Sequence, residues 1–237
     1  MSRFFVSKEN IGEFIKITGD DVLHIGKVLR MREGDALTVC DGDRADYECK
    51  ILEITKKEVI CSIVSKHENT SEPSAEIILF QGIPKGAKME LVIQKCVEIG
   101  VTRIVPFISE RTVAKSLGKN ERWKKIAEEA AKQSGRGIIP VVEAPVSFEH
   151  AISRLLEFDL PILAYEEEKN VYLKDVLRGK TPKKIGILIG PEGGLDAGEA
   201  ELARKKGVFV VTLGKRILRT ETAGMVVISN IIYEYNL

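Results

Sequence analysis

Two glycine-rich loops near the end of the chain carry the residues best suited to bind a ligand. The first is Gly190-Pro191-Glu192-Gly193-Gly194, and the second begins at Leu213-Gly214 and continues through residues 217–223. Each loop follows an apolar run typical of a buried strand, and open α/β sheets bind ligands at the carboxyl ends of parallel strands. Because glycine lacks a Cβ atom, its backbone can pass close to a flat polar ligand. A tight strand-to-helix connection explains one such loop, but two in succession favour a ligand site.

The sequence lacks the usual motifs of several other kinds of site. It has no GxGxxG after the first α/β strand and no GxxxxGK[ST], which argues against a dinucleotide site and a P-loop. It also has no GxSxG nucleophile motif. The four cysteines form no CxxC pair and only three histidines accompany them, so we expect no metal site. What remains is a site of backbone amides and carbonyls beside Thr220, Glu221 and Thr222, which suits an adenine-bearing ligand.

Basic residues are concentrated before these loops. Residues 109–136 include eight basic and four acidic side chains, and such a stretch can follow a phosphate backbone. A solvated helix explains the same composition equally well. Lys85 and Lys88 flank a glycine in a loop that ends another predicted strand, so a parallel sheet would bring them to the same rim as the glycine loops.

The segments that must position the loops alternate between strand and helix patterns after residue 74. This alternation predicts a mostly parallel sheet covered on both faces, hence an α/β fold. We predict strands at residues 77–80, 103–108, 160–164, 185–189 and 208–213, and helices at residues 89–97, 123–131, 196–206 and 221–235. Trp123 is expected in the core.

Residues 1–68 instead show the period-two alternation of half-buried strands. Short strands separated by turns predict a small β-barrel. Residues 68–74 are polar and contain a proline, so we place a linker there, between domains at residues 1–68 and 74–237. Within the first domain, residues 24–32 are expected to place cations around an apolar core of Val28 and Leu29. A solvated surface and a phosphate-binding surface are both compatible with this pattern.

The composition indicates an ordinary globular protein. The net charge is +1, and 44% of the residues are hydrophobic. No apolar run approaches the roughly 20 residues needed to span a bilayer, and the first residues do not resemble a signal peptide. We therefore expect a cytoplasmic protein with no membrane partner.

Several motifs together resemble those of the RsmE family of SPOUT methyltransferases, which methylate N3 of a uridine in 16S ribosomal RNA. The resemblance rests on the two glycine loops, on His24 to Arg30 and on several other short elements. These other elements are Lys85-Gly86, Met89-Glu90, Gln94-Lys95, Glu98, Gly100, Glu110-Arg111 and Gln133 to Arg136. They extend over nearly the whole chain. The sequence departs from the family pattern at Leu195, Asp196 and Gly224, and Asp196 can cap a helix as well as serine does.

The resemblance implies a PUA-like β-barrel domain that positions RNA, followed by a SPOUT domain with a C-terminal trefoil knot. It also implies a homodimer that acts on 16S rRNA or the small ribosomal subunit. S-adenosyl-L-methionine would lie among the loops that follow three strands. The residues implied for cofactor binding are Ala164, Tyr165, Gly190, Pro191, Glu192, Gly194, Leu213, Gly214, Ile217, Leu218, Thr220, Thr222 and Ala223.

Methylation of uracil N3 also needs groups that act on the base. Because N3 carries a proton, either a base or cations that stabilise charge on the two carbonyl oxygens are required. We expect Arg136 to stabilise the uracil anion or to anchor its phosphate, and Arg219 to orient either substrate. Glu221 is the expected nearby carboxylate, although it suits a capping role in the last helix equally well. The expected RNA-binding residues are Arg3, Arg30, Arg32, Lys85, Lys88, Arg111 and Lys115.

Two other functions compete with this interpretation. One is a SPOUT enzyme that methylates a ribose 2′-hydroxyl or another base. The other is an RNA-binding or ribosome-assembly protein whose knot holds no cofactor. Analysis of the methylated nucleoside would test the first, and calorimetry with S-adenosylmethionine would test the second.

Overall fold

The computed structural model describes residues 2–112 and 120–237, which divide into two compact units. The first unit is Met1–Glu72 with Ala131–Ile139, and the second is Pro73–Ala130 with Pro140–Leu237. One division therefore falls inside the linker expected at residues 68–74. The sequence did not predict that residues 131–139 would belong with the first unit. The domain bounds 1–68 and 74–237 stay a prediction.

The first unit is built on a five-stranded sheet with the strand order β1-β3-β4-β5-β2. Strand β1 pairs parallel with β3, and the other pairs are antiparallel. The pairing of β4 with β5 has two register shifts, and such bulges bend strands. The strands are β1 (Arg3–Phe5), β2 (Phe14–Thr18), β3 (Ala36–Cys40), β4 (Ala45–Ile54) and β5 (Glu58–Glu68). This sheet confirms the expected all-β start of the chain.

A short helical segment interrupts the strands of the first unit. Helix α1 (Asp20–Leu23) runs directly into a π-helical turn (His24–Val28). Val28 and Leu29 were expected to form an apolar core here, and that expectation is wrong. Val28 is 67% exposed and Leu29 is 38% exposed, because the wider turn buries Ile25 instead. A single π-turn of this kind is frequent at functional sites.

The second unit is an α/β layer structure around a parallel sheet. The sheet has the order β12-β10-β11-β6-β7-β8, and β9 also pairs with β7. Its strands are β6 (Glu76–Gly82), β7 (Arg103–Ile108), β8 (Val141–Val142), β9 (Val146–Ser147), β10 (Leu160–Ala164), β11 (Lys184–Ile189) and β12 (Phe209–Val211). The helices are α2 (Lys88–Ile99), α3 (Asn120–Ser134), α4 (Phe148–Leu155), α5 (Leu173–Leu177), α6 (Ala197–Lys205) and α7 (Thr220–Tyr235). The predicted parallel sheet is confirmed.

The central strands β6, β10 and β11 are buried along almost their whole length, as expected for a parallel sheet with helices on both faces. Gly100, which has a φ of 128°, caps the C-terminus of helix α2. Asp196 caps the N-terminus of α6, and its side chain accepts a hydrogen bond from the Gly198 amide. Both ends were predicted. Trp123 is also buried, as expected.

All the strands of this sheet run parallel, so the loops that follow them emerge on one side, at the carboxyl ends of the strands. Those after β6, β10, β11 and β12 contain the motifs singled out in the sequence. Within residues 2–112 and 120–237, no helix combines the length and apolarity that crossing a membrane requires. The same residues contain no group of three or more histidine, cysteine or acidic side chains placed to hold a metal ion.

Candidate functional site

A cavity of about 400 Å³ lies in the second unit at the carboxyl ends of β10, β11 and β12. This volume falls within the range typical of small-ligand pockets. The three loops that follow these strands form most of the lining, together with Lys88 and the first turns of α7. The lining residues are Lys88, Ala164, Tyr165, Glu166, Ile189, Gly190, Pro191, Glu192, Gly194, Thr212, Leu213, Gly214, Lys215, Arg216, Ile217, Leu218, Arg219, Thr220 and Ala223.

The lining brings together nearly all the residues that the sequence analysis assigned to the cofactor. Thr222 is the exception, since it does not line the cavity. It lies in the first turn of α7, where its amide donates to the carbonyl of Arg219. The binding roles of the lining residues stay predictions, but their common location follows from the parallel order of the strands.

The loop after β11 is packed closely against the end of β6. A Cβ atom on Gly82 would lie 2.6 Å from both the nitrogen and the Cδ of Pro191, so only glycine fits at Gly82. On the same side of the loop, the Gly190 carbonyl accepts a hydrogen bond of 2.6 Å from the Thr220 hydroxyl. The amide nitrogen of Gln81 donates to that hydroxyl over 2.8 Å. The end of β6 and the start of α7, both distant from this loop in sequence, thus fix its position.

Glu192 links the same loop to the segment that precedes α2. Its carboxylate accepts hydrogen bonds from the Lys85 amide at 3.0 Å and from the Lys88 ammonium at 2.9 Å. Partial burial disfavours the charged carboxylate, but the bonds from these groups outweigh that effect and hold the pKa of Glu192 below its usual value. Lys88 was expected to bind RNA and Glu192 to bind the cofactor. Both roles stay predictions, and in this structure the two side chains pair with each other.

Arg111 supports the far end of the loop. Its guanidinium donates to the Gly193 carbonyl and to the Asp196 carboxylate, each over 3.2 Å. The amide of Gly198, which donates to Asp196, and the nearby charge of Arg111 together lower the pKa of that carboxyl. Arg111 was expected to bind RNA. That role stays a prediction, and the observed contacts of Arg111 connect the loop after β7 to the glycine loop and to the N-terminus of α6.

The remaining charged lining residues make no ion pairs within the described part of the chain. They are the exposed cations Lys215, Arg216 and Arg219, and the exposed carboxylate of Glu166. Sequence reasoning missed Lys215, Arg216 and Glu166. The signal for Glu166 was its position directly after Tyr165 at the end of β10, and the signal for the two cations was their position between Gly214 and Ile217.

Two of the three expected catalytic residues lie outside the cavity lining. Arg136 belongs to the first unit, where its guanidinium bonds to the Glu72 carboxylate and both side chains are almost completely buried. Glu221 lies in the first turn of α7, and one of its carboxylate oxygens is buried with no hydrogen-bond partner among the described residues. Arg219 alone of the three lines the cavity.

The expected RNA-binding residues of the first unit differ in their accessibility. Arg3 forms two hydrogen bonds of 2.6 Å with Asp46 and its side chain is mostly buried. Arg30 and Arg32 are exposed, and Arg30 has a φ of 53°, a conformation uncommon for residues other than glycine. In the second unit, Lys85 is exposed. Lys115 lies outside the described residues.

Comparison with known proteins agrees with this site. Residues 70–232 match a family described as RNA methyltransferase domain, and residues 17–64 match one described as RNA methyltransferase PUA domain. The chain is 36% identical to the ribosomal RNA small subunit methyltransferase E of Bacillus subtilis, with 100% of this chain and 98% of that protein covered. It is 32% identical to the Aquifex aeolicus protein of the same name, with 95% and 96% covered.

Two solved structures also resemble the chain along its length. One is a ribosomal RNA small subunit methyltransferase E from Neisseria gonorrhoeae bound to S-adenosyl methionine, with 30% identity, a TM-score of 0.88, and 98% of this chain and 97% of that chain covered. The other is a putative methyltransferase from Legionella pneumophila in complex with the same cofactor, with 31% identity, a TM-score of 0.87, and 98% and 96% covered. Together with the loops that form the cavity, the two family matches and the identity to these relatives show that the chain belongs to the RsmE family of RNA methyltransferases.

Proposed function

We propose that this protein transfers a methyl group from S-adenosyl-L-methionine to N3 of a uridine in small-subunit ribosomal RNA. The cavity formed by the loops after β10, β11 and β12 is the observation that carries the proposal. Relatives that cover the whole chain are named ribosomal RNA small subunit methyltransferase E, and the Neisseria relative is bound to S-adenosyl methionine. The position of the methyl group on N3 rests on the resemblance described above.

The residues that line the cavity fit this cofactor. Backbone amides and carbonyls of Gly190, Leu213 and Gly214 can recognise the edges of an adenine, and the apolar side chains of Ile189 and Leu218 can contact its faces. The bound cofactor would supply an electrophilic methyl group on a positively charged sulfur. The protein's contribution is to hold the donor and the uracil in line, which accounts for a large part of such catalysis.

The uracil needs positive charge near its two carbonyl oxygens when the N3 proton leaves. Arg219 is the best placed of the three expected catalytic residues, because it lines the cavity and forms no ion pair among the described residues. One carboxylate oxygen of Glu221 has no hydrogen-bond partner among the described residues. Its role as a base stays a prediction, and so does its role as a cap.

Arg136 is placed less favourably than Arg219 for a direct catalytic role, because it does not line the cavity. Its guanidinium already bonds to Glu72, and the Glu72 carboxylate also accepts from the amides of Gly137 and Ile138. These contacts support a structural role in fixing residues 131–139 within the first unit. The catalytic role of Arg136 stays a prediction that separate measurements of stability and turnover will test.

RNA would be held by cations of both units. In the first unit, Arg30 and Arg32 are exposed beside the π-helical turn, and phosphate contacts of this kind position a substrate without reading its sequence. In the second unit, Lys215 and Arg216 line the cavity with Arg219. The target base would have to leave its stacked position to reach the methyl donor.

We also infer a trefoil knot and a homodimer, both implied by the resemblance. The knot is supported by the strand order, in which β12 pairs with β10 while α7 packs against β6, β11 and α2. Stretching the protein by its ends would then leave a tightened knot and a contour length shorter than that of an unknotted chain.

The dimer is supported by Ile217 and Tyr233, which are 82% and 87% exposed. Analytical ultracentrifugation would measure whether the protein is a dimer in solution. We expect the protein to act in the cytoplasm, where ribosomal RNA is made and assembled into subunits.

The function is tested by methyl transfer to two competing RNAs. The protein is mixed with radiolabelled S-adenosylmethionine and equal amounts of small-subunit and large-subunit ribosomal RNA, both as free RNA and as assembled subunits. The proposal expects label in the small-subunit RNA alone. Label in the large-subunit RNA, or calorimetry that detects no binding of millimolar S-adenosylmethionine, would contradict it.

A further inference from the structure

The charges in the cavity lining are unequal. The ammonium of Lys88 pairs with the carboxylate of Glu192 over 2.9 Å, so these two charges largely offset each other. Three cations remain, and all are exposed without an ion pair in the described part of the chain. Glu166 is the lining carboxylate that is left without any such partner. The lining therefore carries three cations and one carboxylate that form no ion pair among the described residues.

The backbone beside Glu166 is held by the sheet, and the Glu166 carboxylate lies close to the glycine loop after β11. The preceding residue, Tyr165, donates its amide hydrogen to the Val211 carbonyl of the adjacent strand over 3.0 Å. On the other side, a Cβ atom on Gly194 would lie 1.8 Å from the Oε1 atom of Glu166. The carboxylate therefore occupies the space that any larger residue at Gly194 would fill. Gly194 also has a φ of 69°, a second reason for glycine at this place.

We propose that Glu166 is a specificity-determining residue that makes the cavity prefer the positively charged methyl donor to its neutral product. This inference rests on the proposed function. The sulfonium of S-adenosylmethionine carries a positive charge, and loss of the methyl group leaves an uncharged thioether in S-adenosylhomocysteine. The lining cations repel the charged donor more than the product. A nearby carboxylate reverses that bias, because it attracts the sulfonium and has no net attraction for the thioether.

The preference has a consequence for turnover. A cavity lined by three cations alone would hold the product more tightly than the donor, and product inhibition would follow. With Glu166 in place, the transfer itself removes the charge that Glu166 attracts. The affinity of the cavity for its ligand then falls when the reaction is complete, which favours exchange of product for fresh donor.

A different role for Glu166 gives a different result. A carboxylate that accepts hydrogen bonds from the ribose hydroxyls would recognise donor and product equally, because both contain the same ribose. Glu166→Gln separates the two roles, since glutamine keeps an oxygen acceptor of similar size and removes the charge. Glu167→Gln is the matched control. Glu167 is the next residue and is exposed, but it does not line the cavity.

The test is calorimetry of the full chain without RNA, with three ligands. These are S-adenosylmethionine, S-adenosylhomocysteine and sinefungin, which carries a protonated amine in place of the sulfonium. Glu166→Gln should weaken the two cationic ligands about tenfold, or roughly 1.4 kcal/mol, and change the affinity for S-adenosylhomocysteine less than about twofold. Glu167→Gln should leave all three affinities close to those of the unaltered protein. High salt should reduce the donor preference of the unaltered protein, and in the Glu166→Gln variant it should instead reduce the preference for the product.

Two outcomes would overturn the inference. Equal losses for all three ligands would show that Glu166 contacts atoms that they share, and unchanged affinities would show that its charge does not reach the ligand. Urea unfolding of Glu166→Gln at an unchanged midpoint would show that neither result comes from misfolding. If the unaltered protein binds none of the ligands, the proposed function fails, and that result is distinct from both outcomes.

Discussion

The hydroxyl of Thr220 donates a hydrogen bond of 2.6 Å to the carbonyl oxygen of Gly190. This bond joins the first residue of α7 to the glycine loop after β11, across 30 positions of sequence. The same hydroxyl accepts from the side-chain amide of Gln81 at the end of β6. A single buried oxygen therefore holds together the sheet, one loop of the cavity and the last helix.

Replacement of Thr220 by valine should damage both the fold and the site. Valine has a similar shape but removes the hydroxyl from the half-buried Gly190 carbonyl and removes one of the two partners of the Gln81 side-chain nitrogen, which keeps its bond to the Gly82 carbonyl. A buried group left unsatisfied costs about 1–3 kcal/mol. We expect a lower free energy of unfolding in urea and weaker binding of S-adenosylmethionine. Thr220→Ser keeps the hydroxyl and should restore most of the affinity. Equal affinities for the valine and serine variants would show that the hydroxyl does not position the loop.

Arg136→Ala distinguishes a structural from a catalytic role for this residue. Removal of the guanidinium leaves the Glu72 carboxylate buried and unpaired, and breaking a buried pair in this way costs about 3–5 kcal/mol. Removal of both partners in Arg136→Met with Glu72→Gln should cost less, since no buried charge is left alone. Urea unfolding measures both losses.

Turnover of the same variants completes that test. If Arg136 acts on the uracil, Arg136→Ala lowers turnover far more than cofactor affinity, and the double variant remains inactive. If its role is to fix residues 131–139, the double variant recovers activity along with stability. Retention of full stability by Arg136→Ala would contradict the buried ion pair.

The sequence predicted the parallel sheet and the common location of the loops, because apolar runs followed by glycines are local patterns. It did not predict which charged residues pair with one another. Lys88 and Arg111 look alike in the sequence, as basic residues near loops, yet one pairs with Glu192 and the other holds Gly193 and Asp196. Such pairs depend on contacts between residues that are about 80 to 105 positions apart.

The misplaced expectation for Val28 and Leu29 has a related physical cause. Hydrophobicity alone does not distinguish a buried turn from an exposed one, and the π-helical geometry of residues 24–28 changes which side chains face inward. Glu166 was missed because it is the first of three consecutive glutamates after a strand, and the sequence does not show which of them lines the cavity. Its importance depends on Gly194, which approaches it from a different loop.

Glu143 should make the stability of the second unit depend on pH. It accepts hydrogen bonds from Arg154 at 2.7 and 2.8 Å and from Arg103 at 2.9 Å. Chiefly the bonds from Arg154, opposed by partial burial and aided by Arg103, lower the pKa of Glu143 from 4.5 to about 2. A lowered pKa in the folded state means that the stabilisation is complete above the unfolded value and is lost as the pH falls from 4.5 toward 2.

Urea midpoints measured between pH 6 and pH 2.5 should therefore fall less steeply for Glu143→Gln than for the unaltered protein. The control is Glu53→Gln, an exposed residue of β4, which should follow the unaltered curve. Parallel curves for Glu143→Gln and the unaltered protein would show that this carboxyl is not coupled to folding.

Lys215 and Arg216 should contribute to RNA binding, and their removal should not weaken binding of the positively charged donor. Replacing both by alanine removes two unpaired cations from the cavity rim, and each phosphate contact contributes about 0.7–0.9 to the slope of log affinity against log salt. We expect weaker RNA binding and a slope reduced by between about 1 and 2, measured by fluorescence anisotropy at several salt concentrations. Alanine at the exposed Lys183 and Lys206, which lie outside the cavity lining, removes the same charge and should change the slope less. Equal changes in the two double variants would indicate a general effect of charge.

The most direct test of the central claim is to identify the nucleoside that the protein produces. Small-subunit ribosomal RNA and assembled small subunits that lack the modification are incubated with the protein and S-adenosylmethionine. The RNA is then digested and analysed by mass spectrometry, with Thr220→Val as the impaired control. We predict one N3-methyluridine per RNA molecule, and less of it with the control. A methyl group on a ribose 2′-oxygen or on another base, or no methyl transfer to either form of the RNA, would contradict the account.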